Sequence, residues 1–100
     1  MELYLHTGLS VRIIDELKSL AGDFGVEKII LFGSRARGDY KERSDIDIAF
    51  SGGKASSFIL AVDEDVHTLL NFDVIDLDGA VQEELRESIE KEGIIIYEKI

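Results

Sequence analysis

The chain has 100 residues, of which 45% are hydrophobic and 32% are charged, and its formal net charge is −10. This predicts one globular domain over residues 1–100, and the lack of cysteine excludes a disulfide framework or a cysteine-based zinc site. The acidic balance argues against direct nucleic-acid binding, and no membrane span or signal peptide is recognisable, so we expect a cytoplasmic protein.

The first half of the chain predicts a helix, a strand and a polar loop. Ser10 is a candidate N-cap, and apolar residues recur at helical spacing from there to Gly25. The nearly all-apolar run Val26–Phe32 is typical of a strand buried on both faces. It ends at the dipeptide Gly33-Ser34, after which one helical turn and a polar loop reach residue 44.

The second half predicts three further strands alternating with two helices. In order, we expect a strand Asp45–Phe50, a helix Phe58–Leu70, a strand Phe72–Leu77, a helix capped by Asp78, and a strand Ile94–Tyr97. The element order helix, strand, strand, helix, strand, helix, strand predicts an α+β fold. In it, a small mixed β-sheet carries helices packed on one side.

The Gly33-Ser34 turn is a candidate phosphate cradle. Glycine directly after a buried strand lets the backbone approach a ligand closely, and the serine hydroxyl with free backbone N–H groups can bind phosphate oxygens. Four cations follow within nine residues of an otherwise acidic chain: Arg35, Arg37, Lys41 and Arg43. The alternative is an ordinary turn with exposed arginines, because Gly-Ser turns are abundant.

Asp45 and Asp47 form a candidate metal-binding pair. Alternate residues of a strand share a face, so these carboxylates would lie about 7 Å apart along it. Carboxylates placed in this way can bracket the two divalent ions of a nucleotidyl-transfer site. An isolated D-x-D pair can equally be the solvated end of a strand.

A third carboxylate must come from another strand. Asp73 and Asp76 both lie in the third predicted strand, but their odd spacing points them to opposite faces. The apolar pattern favours Asp73, which lies near the strand start with apolar residues following on its own face. The pattern leaves Asp76 open.

The combined motif resembles the polymerase-β nucleotidyltransferase superfamily, and most closely its minimal bacterial and archaeal members. The resemblance is carried by F-G-S-R-A-R-G-D, S-D-I-D-I, F-D-V-I-D-L and the closing E-G-I-I-I-Y. It implies a polymerase-β-like fold in which the triphosphate binds the residues Gly33, Ser34 and Arg37. It also implies that the metal-binding and catalytic acids, which hold two Mg²⁺ ions, are Asp45, Asp47 and Asp73.

The resemblance further implies transfer of a nucleoside monophosphate, with AMP from ATP as the first candidate, to an acceptor hydroxyl. Larger relatives carry an extra helical domain, whereas small ones pair with a helical protein of the HEPN type, often a toxin. We therefore expect an antitoxin that adenylylates such a partner. The alternative is a binding module that neutralises a helical partner by contact alone. A small-molecule acceptor is less favoured, because no second domain is evident to hold it.

Overall fold

The computed structural model describes residues 6–100 and contains, in that range, four helices and four strands. Their bounds are α1 Val11–Phe24, β1 Lys28–Phe32, α2 Gly33–Arg37, β2 Ile46–Ser51, α3 Ala55–Asp65, β3 Phe72–Asp76, α4 Glu83–Glu92 and β4 Ile94–Glu98. None of the helices in the described range is long and apolar enough to cross a membrane. The prediction of a single domain over residues 1–100 includes residues 1–5, which lie outside the described residues 6–100. The domain assignment therefore stays a prediction.

The strands form one mixed sheet in the order β3-β2-β1-β4. Strand β1 runs antiparallel to both β2 and β4, whereas β2 and β3 are parallel. The two central strands are the most apolar, because each is covered on both faces and bonded along both edges. The predicted fold class, an α+β fold with a small mixed sheet, is confirmed.

The helices cover both faces of the sheet, although the sequence predicted that they pack on one side. Ile29 and Leu31 of β1 point into the larger core, which α1 and α3 complete. Ile30 and Phe32 point into a smaller core on the opposite face, where Ile89 of α4 packs against them. Because β1 is apolar on both sides, each face needs its own cover, and α4 supplies the second.

Three helix boundaries differ from the expectation. The second predicted helix, Phe58–Leu70, begins three residues early at Ala55 and ends five residues early at Asp65. Asp78 does not cap the last helix, which begins at Glu83 after Gln82. Instead, the Asp78 carboxylate accepts a hydrogen bond of 2.7 Å from the backbone N–H of Gly52. Asp78 therefore connects the loop after β3 to the loop after β2, a contact that the local sequence pattern does not predict.

The predicted N-cap of α1 is confirmed: the Ser10 hydroxyl accepts a hydrogen bond of 3.2 Å from the N–H of Ile13. Replacing Ser10 by Ala is expected to lower the free energy of unfolding by about 1 kcal/mol, because an N–H of the first turn loses its partner. Urea unfolding followed by circular dichroism measures the change. The control is Ser19→Ala, an exposed position inside the same helix, where alanine is expected to be neutral or slightly stabilising.

Candidate functional site

Two carboxylates lie side by side on the face of the sheet that α4 partly covers. Strands β2 and β3 are parallel neighbours, and their register sets Asp47 directly opposite Asp73. Neighbouring strands are about 4.8 Å apart and paired residues share a face, so both side chains project on the same side. Asp47 is half-buried and Asp73 is exposed. The end of the sheet at which β2 and β3 begin therefore carries a pair of carboxylates.

The structure separates the other two acids considered for the site. Asp45 was predicted to begin the second strand, but β2 begins one residue later at Ile46, and Asp45 is exposed. Asp76 pairs with Phe50, three residues further along β3 and on the opposite face from Asp73. Its carboxylate accepts a hydrogen bond of 3.0 Å from the N–H of Asp78. Asp73, and not Asp76, therefore stands beside Asp47.

Burial raises the pKa of the Asp47 carboxyl group, and the negative charges of Asp73 and Asp45 raise it further. The positive charges of Arg37 and Arg35 act in the opposite direction. Asp47 is therefore close enough to both of the other predicted acids to be repelled by their charges. A bound cation stabilises a group of carboxylates that repel one another. Asp47 is the central member of this group, because it is affected by both of the others.

Gly33 brings the turn against this carboxylate. Phe32 is the register partner of Asp47 across the β1–β2 pair, and Gly33 follows it at the start of α2. The φ angle of Gly33 is +74°, and a Cβ atom there would lie 3.0 Å from Cγ of Asp47 and closer still to Oδ2. Only glycine fits this backbone conformation and this space. The Gly33-Ser34 turn and the D-x-D pair are therefore one site.

The two arginines of α2 have different environments. Arg37 is exposed and forms ion pairs with Asp39 at 3.2 Å and Glu92 of α4 at 3.5 Å. Its hydrogen bond to Asp39 raises the pKa of the guanidinium group, which stays charged. Arg35 is buried. It is not a free phosphate-binding cation, as the count of four local cations had implied.

Magnesium fits the oxygen donors at this site. Within residues 6–100, no three histidine or acidic side chains form a ready-made metal cage. Magnesium does not need one, because it binds through one or two carboxylates, retained waters and substrate phosphates. Asp47 and Asp73 supply two adjacent carboxylates on neighbouring strands, and carboxylate oxygens are ligands that magnesium prefers.

An open cleft of about 410 Å³ lies near the same edge of the sheet. Its lining includes Arg43 from the loop before β2 and Leu69 and Asn71 from the segment before β3. Parallel strands begin at a common edge, so this cleft and the acids lie at the same end of β2 and β3. The apolar pattern gave no indication of it, because the segment before β3 was predicted to be helical.

Two solved structures have a fold similar to that of this chain. A structure described as the toxin-antitoxin with AMP-PNP superposes with a TM-score of 0.66 at 24% identity, covering 86% of this chain and 73% of that one. A mutant of the toxin-antitoxin MntA-HpeT superposes with a TM-score of 0.64 at 22% identity and the same coverage. At these identities the likeness shows the fold alone.

The family follows from the sequence. The family described as "Polymerase beta, Nucleotidyltransferase" matches residues 13–100, and the chain belongs to this family. A relative from Methanocaldococcus jannaschii, named "Putative protein adenylyltransferase MJ0604", is 54% identical over 35 residues. That match covers 35% of this chain and 35% of the relative. The predicted family, that of the polymerase-β nucleotidyltransferases, is confirmed. The activity of this chain, its HEPN-type partner and the roles of individual site residues stay predictions.

Proposed function

We propose that this chain is a Mg²⁺-dependent nucleotidyltransferase that transfers AMP from ATP to a hydroxyl group of a partner protein. The observation that carries the proposal is the register of Asp47 with Asp73, directly against the Gly33 turn. A phosphate-binding turn and a carboxylate pair in contact are what nucleotidyl transfer needs, since the triphosphate must lie between backbone N–H groups and metal ions.

In the proposed reaction, the acceptor oxygen forms a bond to the α-phosphorus, and the bond to the pyrophosphate oxygen breaks. Gly33 and Ser34 hold the triphosphate with backbone N–H groups and the serine hydroxyl, and Arg37 adds a positive charge. Asp73, the exposed acid, accepts the proton of the acceptor hydroxyl. Holding both reactants in line supplies a large part of the acceleration.

Asp45, Asp47 and Asp73 would hold the magnesium ions, of which we propose two. Bound there, magnesium neutralises the triphosphate and lowers the pKa of the acceptor hydroxyl. Asp47 is the central ligand, because it is the acid that feels both of the others. The proposed ion number rests on the span of about 7 Å between alternate residues of a strand, which accommodates two ions.

For the acceptor we propose a helical protein of the HEPN type, with this chain as its antitoxin. The support comes from relatives: one is named as a protein adenylyltransferase, and two structures with this fold are described as toxin-antitoxin assemblies. The net charge of −10 fits a basic protein partner better than nucleic acid. The cytoplasmic location stays part of this proposal.

The test is label transfer from [α-³²P]ATP to a co-expressed helical partner in the presence of Mg²⁺. Wild-type protein is expected to label the partner, and the Asp47→Asn variant is not. The contact-only alternative predicts a different result: wild-type protein transfers no label, and Asp47→Asn still neutralises the partner's toxicity in full. That result would overturn the enzymatic proposal.

Replacing Asp73 by Asn is expected to weaken Mn²⁺ binding by at least about tenfold, because one of two adjacent carboxylates is lost. Asp76→Asn is the matched control: the same change on the same strand, on the opposite face. Paramagnetic broadening of backbone amides by Mn²⁺ measures both. Broadening that spares Asp73 and centres on Asp76 would contradict the assignment.

A further inference from the structure

Arg35 has the environment of a core residue, although it lies in the polar part of the motif. Only 2% of its surface is exposed. Its Nη1 donates a hydrogen bond of 2.8 Å to the backbone carbonyl of Thr7. Its Nε and Nη2 donate to the carbonyl of Ser44 at 3.2 and 3.0 Å, and Nη2 also reaches the carbonyl of Glu42 at 3.4 Å. One guanidinium group thus bonds three separate points of the backbone.

The aromatic ring of Tyr40 covers this group. The guanidinium carbon of Arg35 lies 4.7 Å from the ring centroid, within the range of a cation–π contact. Burying a cation is costly unless its donors are satisfied, and here three carbonyl oxygens and a ring face take the place of water. A buried arginine whose donors are bonded to the backbone in this way is part of the structural framework.

The contacts of Arg35 join the two halves of the site. Arg35 follows Ser34 in α2, which starts at the turn. Its acceptor Ser44 immediately precedes Asp45. Ten residues lie between Ser34 and Asp45. The buried side chain of Arg35, at the start of this segment, bonds to Ser44 at its end and therefore connects the two ends.

We propose that Arg35 is a positioning residue that sets the Gly33-Ser34 turn at a fixed distance from Asp45 and Asp47, so that nucleotide affinity depends on it. It touches neither the nucleotide nor the metal. This inference rests on the proposed function, because it assigns Arg35 to the geometry of that same nucleotide site.

Lysine cannot replace arginine in this role. A guanidinium group is planar, so Nε and Nη2 can address one carbonyl while Nη1 points to another on the opposite side. An ammonium group is a compact donor at the end of a flexible stem and cannot span the same acceptors. Arg35→Lys therefore keeps the charge and removes the connection between α2 and Ser44.

The experiment compares two affinities of the Arg35→Lys variant: for Mn²⁺ alone and for MgATP. Two of the three proposed metal ligands, Asp47 and Asp73, are held by the β2–β3 pairing, and only Asp45 follows Ser44, so Mn²⁺ affinity is expected to fall by no more than about twofold. The affinity for MgATP is expected to fall by about tenfold, because the turn and the carboxylates lose their fixed spacing. The control is Arg12→Lys, which also loses a hydrogen bond to a carbonyl, that of His67, but lies on α1, the helix that packs on the opposite face of the sheet from Asp47.

An unchanged MgATP affinity in folded Arg35→Lys overturns the inference. Equal losses for Mn²⁺ and MgATP also overturn it, because general loosening affects both ligands alike. If Arg35→Lys fails to fold, Tyr40→Leu replaces it: loss of the ring is expected to lower MgATP affinity about threefold at constant Mn²⁺ affinity, and no loss overturns the inference. Wild-type protein that fails to bind MgATP would instead overturn the proposed function, and the inference with it.

Discussion

The Asp47→Asn variant is expected to lose nucleotidyl transfer by roughly 10³-fold or more and, at neutral pH, to be more stable than the wild type. The loss of activity follows from the central place of Asp47 among the three acids. An amide neither carries the charge that holds a cation nor balances the positive charge of the metal. Label transfer from [α-³²P]ATP measures the activity.

The gain in stability follows from the raised pKa of the same group. Burial and two neighbouring carboxylates raise the pKa of Asp47 in the folded chain above its value of 3.8 in the unfolded chain. The folded state therefore binds the proton more tightly, and ionisation of Asp47 lowers stability as the pH rises through the folded pKa. The asparagine variant avoids this, so its advantage is present near neutral pH and disappears toward pH 3.

Urea unfolding of both proteins across this pH range measures the difference, which we expect to be about 1 kcal/mol or less at pH 7 because Asp73 and Asp45 are exposed to solvent. Added Mg²⁺ should reverse the order, since it stabilises only the wild type. Asp15→Asn, an exposed acid on α1, controls for a general change in net charge. A wild type that is the more stable protein at pH 7 without Mg²⁺ would show that Asp47 is already compensated.

Replacing Gly33 by Ala is expected to lower the free energy of unfolding by about 1–3 kcal/mol and to weaken MgATP binding strongly. The φ angle of +74° is unfavourable for alanine, and the added methyl group collides with the carboxylate of Asp47. Either the turn or the carboxylate must move, and both belong to the proposed site. Urea unfolding and MgATP titration measure the two effects.

The matched control is Gly22→Ala. Gly22 lies inside α1 with no atom within 4 Å of the added methyl group, so the change is expected to stabilise the protein by up to about 1 kcal/mol. A double-mutant cycle with Asp47→Ala separates the two causes at Gly33. In that background the contacts with Oδ2 and Cγ are gone and only the approach to Cβ at 3.3 Å remains, so the cost is expected to fall toward that of the φ angle, about 1 kcal/mol. Equal costs in both backgrounds would contradict the contact between Gly33 and Asp47.

Local sequence patterns were sufficient to predict the first helix, the central strands and the turn. Apolar spacing located the first helix and the central strands, and Ser10 marked the start of that helix, because N-capping depends on residues three apart. The Gly33-Ser34 turn was visible for the same reason: it directly follows a buried strand. The family also follows from sequence, since the match spans residues 13–100.

Which residues come into contact across the site depends on the packing of separate elements. The choice between Asp73 and Asp76 depended on the register of β3 beside β2, and 26 residues separate Asp47 from Asp73. The difference between the buried Arg35 and the exposed Arg37 was equally invisible, because both are arginines on the same short helix. Arg35 is set apart by carbonyls up to 28 residues away and Arg37 by Glu92. The spacing of residues along the chain predicts which side chains are neighbours within one helix or strand. The site depends on contacts between different helices and strands, which that spacing does not predict.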